Sequence, residues 1–167
     1  KIFKDIAKPT FDIPTRIRTI ISADLDNDGY DEVFMNNIGE PNKLFKILDN
    51  GVLEQLPLDI GLEPDGYGTG AAVADIDNDG ILELLVSHGE SRDQPLSLYK
   101  ANVDPNHKYL RVKPLNKYGA PARGATVTLI SNLRKHSKTI DAGSGYLCQM
   151  EPVAHYGIRK KEKNIRV

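Results

Sequence analysis

Residues 23–32 read ADLDNDGYDE and residues 74–83 read ADIDNDGILE. Seven of the ten positions are identical, at an offset of 51 residues. Identity of that extent inside one chain marks an internal repeat, and a repeat constrains the architecture before any other feature does. The flanks repeat in character. IRTIIS (17–22) and TGAAV (69–73) precede the two copies, and EVFMNN (32–37) and ELLVSH (83–88) follow them. KLFKILD (43–49) and LSLYKA (96–101) come next, with apolar residues recurring near period two. Each copy therefore reads strand, acidic loop, strand, turn, strand. The turns carry their own punctuation in GEPN (39–42), DNG (49–51), EPDG (63–66) and GESRDQP (89–95). No segment shows an amphipathic helical pattern. An antiparallel meander satisfies this reading. The duplication favours a β-propeller, whose four-stranded blades take about 40–50 residues each.

The repeated loop is built for a hard cation. Asp24, Asp26 and Asp28 occupy alternate positions before Gly29, and Asp75, Asp77 and Asp79 do the same before Gly80. Three carboxylates crowded into five residues repel one another unless a cation or solvent compensates. Ca²⁺ accepts six to eight oxygen ligands in flexible geometry, whereas Mg²⁺ demands a strict octahedron and keeps its waters. The glycine allows the sharp turn around an ion. The carbonyl oxygens of Tyr30 and Ile81 and the carboxylates of Glu32 and Glu83 are expected to close the two shells. An EF-hand would need an acidic twelfth residue, and counting from Asp24 and Asp75 gives Met35 and Val86. With β-prone flanks instead of helices, the EF-hand is rejected. Two Ca²⁺ sites are expected, structural in role, each tying a turn between two strands.

Composition narrows the classes further. The 167 residues are 40% apolar and 27% charged, enough for a packed core of one domain or two. Lys plus Arg number 22 and Asp plus Glu 23, a balance that argues against a generic nucleic-acid binder. No apolar run approaches the roughly 18 residues of a membrane span. A single cysteine, Cys148, excludes an internal disulfide and a cysteine-rich zinc site. The first residues, KIFKDIAKPT, show no initiator Met and no signal-peptide pattern, and the closing KNIRV reads as a strand cut in its middle, so a segment of a longer protein is expected.

The loops DLDNDGYDE and DIDNDGILE, each between strands, resemble the calcium loops of FG-GAP (VCBS) repeats, the blades of integrin-α-type propellers. GYGTGAAVADIDNDG (66–80) is similar to the stretch that leads into such a loop. KYLRVKPLNKYGAPARGATVTL and DAGSGYLCQMEPVAHYGI, within 107–158, resemble the UnbV/ASPIC module. With FKDIA and VSHGE, these segments resemble the cartilage acidic protein family, in which that module follows FG-GAP repeats. The resemblance implies an all-β fold: a partial β-propeller over residues 1–105 and a small antiparallel β module over 106–167. It places the family's loop acids on Asp24, Asp26, Asp28 and Glu32, and on Asp75, Asp77, Asp79 and Glu83. It also implies a secreted protein or one of an organelle lumen. Two blades cannot close a propeller, which needs about four. The remaining blades lie in further chain, or the piece docks on partner proteins.

The tail offers tempting residues. GATVTLIS (124–131) is its clearest strand, KYLRVKP alternates, and TIDAG, GYLCQM and VAHYGI are expected as shorter strands. Gly143-Ser144-Gly145 does not match a nucleophile elbow and reads as a tight turn. His155 lacks triad partners in any readable order and is expected to be a hydrogen-bonded structural residue. Cys148 is expected as a small buried hydrophobe, and His88 as a turn residue. Arg123, Arg134, Lys135, Lys138, Arg159, Lys160, Lys161 and Lys163 make the tail basic, a solvated face or a docking surface for an acidic partner. The function expected is a non-enzymatic, calcium-binding interaction, adhesion or scaffold module with protein partners. An accessory subunit of a larger assembly is the alternative, and the non-catalytic propeller of an enzyme the third.

Overall fold

The computed structural model describes residues 2–5, 7, 9–48, 50–57, 66–91 and 93–167. Most of the EPDG turn (63–66), and Lys1, Ile6, Lys8, Asp49 and Arg92 of the segments quoted above, lie outside these. Eleven strands are present among the described residues: β1 (Ile17–Ala23), β2 (Glu32–Asn37), β3 (Lys43–Ile47), β4 (Leu53–Gln55), β5 (Gly68–Ala74), β6 (Glu83–His88), β7 (Ser97–Lys100), β8 (Lys108–Val112), β9 (Thr126–Ile130), β10 (Lys135–Thr139) and β11 (Ala154–Ile158). The fold is all-β. The first repeat forms an antiparallel sheet in the order β1-β2-β3-β4, and the second forms β5-β6-β7. These are consecutive blades of a partial propeller. The repeat holds down to its irregularities, because a bulge falls between Ile17 and Thr19 in β1 and between Gly68 and Gly70 in β5, the same 51-residue offset.

Period-two alternation dictates how the blades pack. Ile21 and Phe34 face one another across β1 and β2, and Phe34 pairs with Leu44 of β3. This face meets Ala71, Val73, Leu84 and Val86 of the second blade to form one apolar core, with Phe34 and Val86 fully buried. Each such side chain contributes about 1.5–3 kcal/mol by leaving water. On the opposite face of the first blade, Phe45 is buried edge-on against Phe11, ring centroids 5.1 Å apart.

The tail contains two two-stranded ribbons, β8 with β11 and β9 with β10. A second core of Val127, Leu129, Ile140, Ala154, Tyr156 and Ile158 holds them together. Two of the expected tail strands are absent. TIDAG contributes only Thr139 to a strand, and GYLCQM is irregular. Instead GYLCQM lies along the inner blade strands: Tyr146 N donates to Thr19 Oγ1 at 3.2 Å and Val73 N to Met150 Sδ at 3.2 Å. It covers backbone that would otherwise be an open edge. Gly145, at φ +75° and against the Thr19 methyl, bends the chain there. The strand KHSKT (135–139) was not expected, because it carries no apolar alternation. It is held by the register of β9 and by polar cross-strand pairs such as Thr128 with Ser137 at 2.8 Å.

Candidate metal centres

Each acidic loop joins the first two strands of its blade, and each repeats the other's backbone chemistry. Asp26 Oδ1 accepts from Asp28 N at 3.0 Å, and Asp28 Oδ1 from Tyr30 N at 2.9 Å. In the second loop Asp77 Oδ1 accepts from Asp79 N at 3.3 Å, and Asp79 Oδ1 from Ile81 N at 2.9 Å. These side-chain turns explain why aspartate recurs at alternate positions. The chain turns through positive φ twice per loop, at Asn27 (59°) and Gly29 (87°) and at Asn78 (61°) and Gly80 (84°), conformations that Asn and Gly tolerate best.

The first and last acids of each loop are buried and split their oxygens between two duties. Asp24 Oδ2 accepts from Gly29 N at 3.0 Å, and Asp75 Oδ2 from Gly80 N at 3.0 Å. Glu32 Oε2 accepts from Leu25 N at 2.9 Å, and Glu83 Oε2 from Ile76 N at 2.8 Å. The remaining oxygens Asp24 Oδ1, Glu32 Oε1 and Asp75 Oδ1 are buried without a hydrogen-bond partner. An ionised oxygen in that position costs free energy unless a cation compensates. Asp24, Asp26 and Glu32 each place a carboxylate oxygen within 4.8 Å of the others, and so do Asp75, Asp77 and Glu83. Burial raises Asp24 to about 7 despite the Gly157 N–H. It raises Glu32 to about 8, with Asp26 adding repulsion. The oxygen-rich donor sets fit Ca²⁺.

Two lysines, which the loop motif does not contain, reach into the clusters. Lys46 of β3 pairs in register with Glu32, and Lys100 of β7 with Glu83. Lys46 Nζ lies 2.9 Å from Asp26 Oδ2 and 2.5 Å from Asp28 Oδ2. Lys100 Nζ lies 2.7 Å from each of Asp77 Oδ2, Asp79 Oδ2 and Glu83 Oε1. The available signal was a lysine opposite the closing glutamate in both blades, visible only once the strand register is known. Asp28 and Asp79 sit outside the tightest triads and face these ammonium groups.

The tail lies across both loops. Gly157 N donates to Asp24 Oδ2 at 2.8 Å, and Arg111 Nη1 to Asp75 Oδ2 at 2.7 Å, Arg111 also meeting Glu151. Gly157 must be glycine here, because a Cβ would stand 2.3 Å from Asp24 Oδ2 and 2.5 Å from the Asn27 carbonyl carbon. Asn27 Nδ2 donates to Gly80 O at 2.8 Å, tying one loop to the other. Its Oδ1 lies 2.7 Å from His155 Nε2. His155 is buried and held neutral, its pKa pushed down to about 4 by burial and then by Lys138 and Arg111, so Nε2–H donates and the residue serves structure. Cys148 is half-buried against Gly70, and His88 ends β6 opposite Gly68.

Several basic tail residues meet the first blade itself. Arg134 donates to Gly29 O and to Gly157 O, and pairs with Glu162 at 2.9 Å. Lys138 pairs with Asp31 at 2.9 Å, and the Arg159 guanidinium lies 3.5 Å from the Tyr30 ring centroid. Acidic loop and basic tail are complementary within one chain.

The comparisons agree with this arrangement. A family described as FG-GAP-like repeat matches residues 24–86, and one described as ASPIC and UnbV matches 116–167. The chain is 48% identical to cartilage acidic protein 1 of Homo sapiens over 96% of its own length. It is 47% identical to that of Mus musculus and 48% to that of Xenopus tropicalis, again over 96% of the chain. It spans 26% of the length of each of these relatives. With both segments in the same order and near-half identity across almost every residue, the chain resembles the cartilage acidic protein family over the quarter of the relatives' length that it spans.

Proposed function

We propose that this chain is a non-enzymatic, calcium-binding segment of a propeller protein that acts by protein–protein interaction. The observation that carries the calcium reading is the buried, unpartnered Oδ1 of Asp24 and of Asp75, at the same position in both loops. Asp24, Asp26, Asp28 and Glu32, with the Tyr30 carbonyl, would hold one ion. Asp75, Asp77, Asp79 and Glu83, with the Ile81 carbonyl, would hold the other. A bound Ca²⁺ supplies fixed positive charge and links the strands on either side of each loop. The side chains otherwise serve the fold: Asp24 and Asp75 close their loops, and the tail anchors to both.

The proposed division is 1–105 for the blades and 106–167 for the tail module, supported by a second core drawn from residues 110–158. The relatives' name and the fit of Ca²⁺ support a secreted, extracellular setting and protein partners. An accessory role in a larger assembly follows if other polypeptides complete the propeller. Thermal melts in excess Ca²⁺ and in EDTA test the calcium reading. Calcium is expected to raise the melting temperature by several degrees, as specific ligands of the native state do. An identical melting temperature in EDTA overturns it.

A further inference from the structure

We propose that Lys46 and Lys100 are built-in competitors of the metal, and that the two loops therefore fill in order, the first loop at lower Ca²⁺ than the second. This rests on the calcium reading above. Both ammonium groups sit among the carboxylates that would ligate an ion, and each belongs to the strand facing its loop's closing glutamate. An ammonium is a compact point charge on a flexible stem. Lys46 and Lys100 side chains are 29% and 32% exposed and line the same open cleft between the blades, so each has room to leave. A divalent ion that enters must displace the lysine, and the cost of that displacement is subtracted from its affinity.

The cost differs between the loops. Lys100 touches three carboxylates, whereas Lys46 touches two. Arg111 pairs directly with a ligand acid of the second loop, Asp75, whereas Arg134 and Lys138 beside the first loop meet the Gly29 carbonyl and Asp31, which are not among its proposed ligands. The corresponding tail donor in the first loop is the uncharged Gly157 N–H. Accordingly the first loop keeps two buried oxygens without a hydrogen-bond partner or an ion-pair contact, Asp24 Oδ1 and Glu32 Oε1, and the second keeps only Asp75 Oδ1. The second loop is also wetter: Asp77 and Asp79 side chains are 59% and 44% exposed, against 35% and 20% for Asp26 and Asp28. Attraction for an incoming cation falls as the local dielectric rises.

Calorimetric titration of the chelator-stripped chain with CaCl₂ tests this. Two events separated by about tenfold or more in Kd are expected, a gap of the size local charge differences produce. Asp26→Asn should remove the tighter event and Asp77→Asn the weaker. Lys100→Met should tighten the weaker event by about tenfold, by removing its competitor, while lowering the melting temperature in EDTA because three carboxylates lose a counter-charge. Lys100→Gln, which keeps a polar stem, should act in the same direction. Equal affinities in the unmutated chain, or a second site that Lys100→Met and Lys100→Gln leave unchanged or weaken, overturns the proposal while leaving calcium binding intact. No heat and no calcium-dependent melting shift in any of the proteins overturns the calcium reading itself.

Discussion

Gly157 shows how a single hydrogen atom in place of a methyl group couples two parts of the chain. Its N–H reaches Asp24 because no side chain intervenes, and the neighbouring atoms include Asn27 backbone, which cannot step aside cheaply. Gly157→Ala is expected to lower stability by about 1–3 kcal/mol through overpacking, measured by urea unfolding, and to weaken calcium binding at the first loop alone. Glu162 is a second instructive residue. Burial raises its pKa, but hydrogen bonds from Ser131 at 2.7 Å, from Arg159 N at 3.1 Å and from Arg134 outweigh that and leave it below the ordinary 4.5. A carboxyl depressed in the folded state stabilises above its unfolded pKa, and that stability is lost as pH falls through the folded value. Glu162→Gln should therefore cost stability at pH 7 and flatten the acid limb of the stability–pH curve below about pH 4.5. An acid limb as steep in the variant as in the parent would contradict this.

At the scale of the loop, the ion-free state has the opposite sign. Asp24 and Glu32 have folded pKa values raised by burial to about 7 and about 8, from 3.8 and 4.5. A carboxyl raised in the folded state contributes stability that is complete below the unfolded pKa and is lost as pH rises through the folded one. In EDTA the chain should thus lose stability between about pH 4 and pH 8. Calcium competes with those protons, so the difference between melting temperatures in Ca²⁺ and EDTA should widen steadily from pH 5 to pH 8. A difference that narrows with pH would show that Asp24 and Glu32 are not the ligands. The β9–β10 hairpin illustrates the same scale from the side of folding. KHSKT pairs through a Thr/Ser ladder, and its Lys138 docks on Asp31 of the first blade.

For the whole molecule, the tail and the blades are expected to behave as one cooperative unit. Arg134, whose side chain is 10% exposed, joins Gly29, Gly157 and Glu162 and so bridges blade, β11 and the closing segment. Arg134→Met leaves the buried Glu162 without its charge partner, a change that costs about 3–5 kcal/mol when one member of a buried pair is removed. In the unmutated chain with Ca²⁺, unfolding followed by tyrosine fluorescence and by far-ultraviolet circular dichroism should give coincident transitions. Separate transitions would mean that the tail folds and melts independently of the loops it covers.

The duplicated loops and their β flanks were legible in the residues, because period-two alternation and the fixed spacing of the acids are local properties that a one-dimensional pattern records. The candidate acids were legible for the same reason. The order of blades and tail was legible through the family resemblance. Lys46 and Lys100 were not, since they reach the loops through strand register rather than through spacing. Nor were Gly157, Arg111 and Asn27, which lie 133, 36 and 53 residues from their partners in the loops. KHSKT carries no apolar stripe, and GYLCQM looks like a strand yet lies along the blades' inner strands as irregular chain. Short-range chemistry thus determined what the loops contain. The tertiary structure alone decided what presses on them, because burial, counter-charge and close backbone approach depend on which distant segments the fold brings together.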